Sequence, residues 1–139
     1  MSKVAVVYWT GTGNTQKMAQ KVIEGAKKAG AEVTEIFADS FHEGDVASYD
    51  AIAFGCPAMG AEVLEESVFQ PMWDEVKPAI KGKKIGLFGS WGWGGGVWME
   101  DWTSDAESTG ADLVGTVTAN NEPDHAADAE CEALGEKLA

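Results

Sequence analysis

Val4-Ala5-Val6-Val7-Tyr8-Trp9-Thr10-Gly11-Thr12-Gly13-Asn14-Thr15 runs from an unbroken apolar stretch into a turn rich in glycine and hydroxyl groups. An apolar run without alternation marks a strand covered on both faces. After the turn, Met18, Val22, Ile23, Ala26 and Ala29 fall on one helical face, with Lys17, Lys21, Glu24 and Lys28 elsewhere. Gly30 stops that helix. Gly11 and Gly13 let the backbone turn tightly, so that its N–H groups point inward. Thr10, Thr12, Asn14 and Thr15 add side-chain donors, and a helix N-terminus favours an anion. The pattern describes a phosphate cradle made without a positive side chain. A nucleoside triphosphate loop would want Gly-Lys-Ser/Thr, and Asn14-Thr15 supplies no such lysine. A dinucleotide fingerprint would need a third glycine where Gln16 stands. The blander alternative, a merely glycine-rich strand-to-helix turn, leaves the three hydroxyls unexplained.

The rest of the chain alternates strands with helices. Val33 to Phe37 and Ala51 to Gly55 read as strands, followed by a helical stripe of Phe69, Met72, Trp73, Val76 and Ile80. Lys84 to Gly89 reads as a fourth strand, Val97 to Thr109 as a helix and Leu113 to Val117 as a fifth strand. Ala127, Cys131, Leu134 and Leu138 mark a last helix. This alternation predicts one domain over 1–139, a parallel sheet between helix layers. Ligands of such sheets bind at the carboxyl ends of the strands. The loops after strands one, three, four and five therefore belong to one site.

The 139 residues carry a net charge of −13 and no arginine. That excludes any mechanism needing an arginine clamp, and argues against nucleic acid and anionic membranes. Nine carboxylates and no lysine lie between Asp39 and Glu75, and eleven carboxylates and no lysine between Ile85 and Glu136. Such segregation points to a polarised molecule with basic protein partners. Cys56 and Cys131 make a poor disulfide framework, Met1-Ser2-Lys3 runs into a strand without a signal-peptide pattern, and no apolar stretch is span-length. A cytoplasmic setting is expected. His42 and His125 are isolated and offer no metal cluster. Trp9, Trp73, Trp98 and Trp102 read as core aromatics, Cys56 as an inert core thiol and Glu65-Glu66 as part of a solvated acidic rim.

Tyr8 to Thr15 closely resembles the phosphate loop of short-chain, clostridial-type flavodoxins. The resemblance continues in Gly55-Cys56-Pro57-Ala58-Met59-Gly60-Ala61-Glu62-Val63-Leu64-Glu65-Glu66, in Gly89-Ser90-Trp91-Gly92-Trp93-Gly94 with Trp98-Met99, and in Asn121-Glu122-Pro123-Asp124. It implies the doubly wound, flavodoxin-like five-stranded parallel sheet in the order 2-1-3-4-5, with helices on both faces; that sheet order is the one the general α/β rule itself quotes for flavodoxin. It also implies a monomeric, non-enzymatic electron-transfer protein that binds FMN and shuttles single electrons between a reductase donor and an acceptor. Such a carrier works at low potential, through the semiquinone/hydroquinone couple. A non-redox FMN-binding or partner-regulating module of the same fold is the alternative.

By the same resemblance, Thr10, Gly11, Thr12, Gly13, Asn14 and Thr15 hold the FMN phosphate. Pro57, Ala58, Met59, Gly60, Ala61 and Glu62 line one face and edge of the flavin, with Glu62 accepting from its N3–H. Trp93 matches the family's stacking tryptophan, with Trp91, which stands where tyrosine is usual, as its competitor. Ser90, Gly92, Gly94 and Asn121 complete the set. Ala61 departs from the Asp or Ser usual there, so a side-chain contact is lost. Gly60 tolerates positive φ, so its peptide can flip toward flavin N5 and favour the one-electron form. A receiver domain of this fold needs an aspartate after strand three, where Cys56 stands, and a low-molecular-weight tyrosine phosphatase needs an arginine; neither fits.

Overall fold

A computed structural model describes residues 2–11, 13–59, 64–92 and 96–139. Five parallel strands, β1 (Lys3–Tyr8), β2 (Glu32–Phe37), β3 (Ala51–Gly55), β4 (Lys84–Trp91) and β5 (Asp112–Asn120), form one sheet in the order 2-1-3-4-5. The strands with continuous apolar runs occupy the middle. Val4 to Tyr8 and Ala51 to Gly55 are buried throughout. The edge strands β2 and β5 keep Glu32, Thr34, Glu35, Thr116 and Thr118 in solvent, polar side chains that protect an edge from pairing with another chain.

Helices α1 (Asn14–Lys28) and α4 (His125–Leu138) cover one face of the sheet, and α2 (Phe69–Val76) and α3 (Val97–Ser108) the other. The stripe read from the sequence is the buried face of α1, except that Ala29 is exposed. The reason is local. Ala29 is the C-cap just past the helix, and Gly30 N–H bonds Lys27 O at 2.9 Å while Ala31 N–H bonds Ala26 O at 3.0 Å. With Gly30 at φ +95°, that is the Schellman termination, and it turns Ala29 outward. No α-helix spans the connection from β2 to β3; two 3₁₀ segments, Ala38–Ser40 and Glu43–Ser48, pack Ala38, Phe41 and Val46 into the core instead. The fifth strand extends beyond Leu113–Val117 because β4 itself runs on to Trp91, and the two stay paired up to Trp91 and Asn120.

α1 and α4 touch backbone to backbone, a contact hidden from hydrophobic periodicity because two glycines make it. A Cβ on Gly25 would lie 2.0 Å from Glu132 O, and one on Gly135 would lie 2.1 Å from Val22 O. Neither obstacle is a flexible side chain, so the helices would have to separate. Gly135→Ala is therefore expected to destabilise the chain by about 1–3 kcal/mol, the usual cost of overpacking. Urea unfolding checks this, and an unchanged midpoint would show that α4 shifts freely.

Candidate functional site

The strands' hydrogen bonding continues past their ends and ties the following loops together. Trp9 N–H donates to Gly55 O at 3.0 Å, Ala58 N–H to Ser90 O at 2.9 Å, and Asn121 N–H to Trp91 O at 2.7 Å. Asn121 takes the left-handed conformation at φ +59°, which asparagine tolerates better than most residues. Trp98 Nε1 donates to Cys56 O at 3.2 Å and anchors the loop after β3 to α3. The loops after strands one, three, four and five thus converge, as the sequence reading expects.

The turn after β1 has the geometry of an anion cradle. Gly13 caps α1 at φ +96°, and its N–H donates to Thr10 Oγ1 at 3.1 Å. The next donor within the helix is Lys17 N–H, to Gly13 O at 3.1 Å. The N–H groups of Asn14, Thr15 and Gln16 between them have no carbonyl partner within the helix. Among the described residues no side chain caps this end, and no carboxylate lies in the first turn. A Cβ on Gly13 would meet nothing within 4 Å, so the space in front of the turn is open. Thr15 is buried, its hydroxyl 3.5 Å from that of Ser90.

A cavity of about 260 Å³ opens beside this turn. Gly11 and Asn14 border it from the first loop, Pro57, Ala58 and Met59 from the second, Ser90, Trp91 and Gly92 from the third, and Asn121 from the last. Thr12, Gly60, Ala61, Glu62, Trp93 and Gly94 lie outside the described residues. The sequence reading missed Trp9 here. It is half-buried and lines the cavity, whereas Trp73, Trp98 and Trp102 are core aromatics as expected. Its position directly before the turn was the available signal. A Cβ on Gly11 would come within 3.0 Å of the Trp9 ring, so the absent side chain there makes room for the indole.

The family model for flavodoxin matches residues 6–135. This chain belongs to the flavodoxin family. It is 49% identical to a flavodoxin of Megasphaera elsdenii over 136 residues, 98% of either chain. It is 42% identical to one of Clostridium beijerinckii over 135 residues, 96% of this chain and 97% of the relative. The solution structure of two-electron-reduced Megasphaera elsdenii flavodoxin superposes with a TM-score of 0.91 at 49% identity, covering 97% of both chains.

Flavodoxins bind FMN, and the described residues fit that group. A phosphate dianion suits a first turn that carries no carboxylate, and a flat aromatic ring suits a cavity walled by Trp91 and Met59. Both cysteines are free and buried. Burial pushes the Cys56 thiol far up and that of Cys131 up to about 12, so neither ionises at neutral pH.

The carboxylates around the site differ in their roles, and for Glu65 the structure corrects the sequence reading. Glu66, Glu100 and Asp101 are exposed. Glu122 is bridged at 2.7 Å by Lys17, which α1 brings from far away in the sequence. Asp124 caps α4 by accepting from Ala127 N–H at 2.9 Å. Glu65 is buried. Its carboxylate accepts the N–H groups of Ser67 at 2.5 Å, Val68 at 3.0 Å and Phe69 at 3.1 Å, together with the Ser67 hydroxyl. The side chain therefore closes the N-terminus of α2, where a negative charge is favoured. Burial works against the charge, but the hydrogen bonds from Ser67, Phe69 and Val68 outweigh it and hold the carboxyl below the usual range.

A depressed folded-state pKa stabilises above the unfolded value, near 4.3, and that stability is lost as pH falls through the folded value. Glu65→Gln should thus cost about 0.5–2 kcal/mol near pH 7, in line with other helix caps. The gap to the unmodified chain should narrow as pH is taken below about 4. Urea unfolding at both pH values measures it; a gap independent of pH would show that the carboxylate charge does not matter.

Proposed function

We propose that this flavodoxin is a low-potential carrier that holds FMN at the carboxyl ends of its strands and exchanges electrons with basic-surfaced redox proteins in the cytoplasm. The observation that carries the reading is the first turn of α1, which offers N–H groups and hydroxyls to an anion and no carboxylate. Thr10, Gly11, Gly13, Asn14 and Thr15 are assigned to the phosphate, and Ala58, Met59, Ser90, Trp91, Gly92 and Asn121 to the ring and its chain. FMN, when bound, accepts and releases electrons one at a time.

The protein's own contribution is electrostatic. With −13 net charge and no arginine, added negative charge is disfavoured throughout the molecule, which lowers the potential at which it can be reduced. Dipoles of backbone N–H groups satisfy the phosphate without supplying a full positive charge near the ring. A donor set of this kind binds the anion and leaves the acidic field intact. Lys17 is the exception near the site, and its ammonium is already taken by Glu122.

Partner recognition follows from the exposed members of the rim. Glu66 and Glu100 make no ion pair among the described residues and flank the loops of the site. Phe37 and Val97 are the large apolar side chains left exposed among the described residues, too little surface to drive self-association. A monomer is the state consistent with that surface. No helix among the described residues is long and apolar enough to cross a membrane.

Stopped-flow electron transfer from a basic-surfaced reductase tests the proposal. The bimolecular rate should fall as salt shortens the screening length toward about 8 Å, and the slope should be shallower in Glu66→Gln/Glu100→Gln. Glu65 is left intact, because its change would disturb α2 rather than the surface. A flat salt dependence in both proteins would overturn the electrostatic docking. Failure of the FMN-loaded protein to accept electrons at all would favour a non-redox module.

A further inference from the structure

We propose that Glu65 is a positioning residue for the cofactor: by clamping the start of α2 onto Cys56, it fixes where Pro57, Ala58 and Met59 stand against the cavity. This rests on the assignment of that cavity to FMN. Three observations carry it. Glu65 N–H donates to Cys56 Sγ at 3.4 Å, so the two ends of the connection from β3 to α2 meet at one point. The Glu65 carboxylate then bonds forward to Ser67, Val68 and Phe69, and its carbonyl accepts Gln70 N–H at 2.8 Å. Phe69 is fully buried and meets Trp102 edge-on at 5.4 Å, so the clamp is seated in the core and cannot drift with the surface.

At the other end, Cys56 is equally fixed. Its N–H donates to Phe88 O at 3.1 Å, and its carbonyl accepts Trp98 Nε1 at 3.2 Å. A Cβ on Gly89 would lie 2.1 Å from that same carbonyl, so the neighbouring strand packs its bare backbone directly against Cys56. The cavity wall of Pro57, Ala58 and Met59 begins at the next residue. It is joined to the rigid sheet at Cys56 and Ala58, and Glu65 comes back to Cys56 where the chain enters α2. The buried N–H of Phe69 would be left without this acceptor, which costs free energy, so loss of the carboxylate would favour other arrangements of Glu65 to Phe69. The wall would then have to be ordered when the ligand arrives, and affinity falls by that cost.

The test compares unmodified chain, Glu65→Gln and Glu65→Ala as apoproteins, measuring FMN and riboflavin dissociation constants and the visible circular dichroism of the bound flavin. Glutamine keeps one acceptor oxygen and so restores part of the clamp. The expected order of affinity is unmodified, then Gln, then Ala, with Ala weaker by about tenfold, the size expected of a lost preorganising contact. Riboflavin should weaken by the same factor as FMN, because the phosphate turn is untouched, and the flavin dichroism should change. A residue that merely stabilised α2 would lower the unfolding temperature and leave both constants within twofold of the unmodified chain, which would overturn the proposal. If Glu65→Ala does not fold, Glu65→Gln decides: weakening of threefold or more supports the clamp, and unchanged constants and dichroism reject it. Failure of the unmodified chain to bind FMN would instead overturn the cofactor reading itself.

Discussion

Everything at the functional end of this molecule depends on backbone hydrogen bonds that outlast the strands. The strands of a parallel sheet need not end level with one another, so the loops that follow them need their own ties. Here Trp9, Ala58 and Asn121 each donate one more N–H to the neighbouring strand's end, at Gly55, Ser90 and Trp91. Four loops that are far apart in the chain are thereby held to a common floor. Loop entropy would otherwise oppose their convergence, and it is offset by a core that buries Val4 to Tyr8 of β1, all of β3 and Ile85 to Ser90 of β4.

The site built on that floor solves an electrostatic conflict. A protein of −13 charge must bind a dianion. On the proposed function it does so at a helix N-terminus, where partial positive charge is delivered by N–H dipoles over a short range. The carboxylates nearest the site are not left as one uniform field. Glu65 and Asp124 are spent on helix N-termini and Glu122 on Lys17, which leaves Glu66, Glu100 and Asp101 to face solvent. Acid near the cofactor thus has two separate jobs, holding elements in place and presenting charge outward.

Much of this was legible in the sequence, and what was not has identifiable causes. The central strand β1 and the helix faces follow from an unalternating Val4–Trp9 run and period-3.6 stripes. The strand order follows from the resemblance to flavodoxins, and the glycine-hydroxyl turn marks where β1 gives way to α1. The β2–β3 connection was less visible, since 3₁₀ segments carry no long apolar stripe. Gly25 and Gly135 escaped notice because helix packing by absent side chains leaves no hydrophobic signal. Glu65 and Glu66 look alike in sequence, and only the return of the chain at Cys56 buries one and exposes the other. Burial statistics favour Trp9 as a core aromatic, yet it stands at the end of β1 where the cavity begins. Ala29 fitted the stripe of α1 and was turned out by the helix stop that follows it.

The central claim is that the first turn of α1 recognises a phosphate by neutral donors alone. Isothermal titration of the apoprotein with FMN and with riboflavin, which lacks the phosphate, tests it most directly. Two or three charge-assisted hydrogen bonds at about 1.5–3 kcal/mol each predict that FMN binds at least a hundredfold more tightly. Equal dissociation constants for the two ligands would contradict the account.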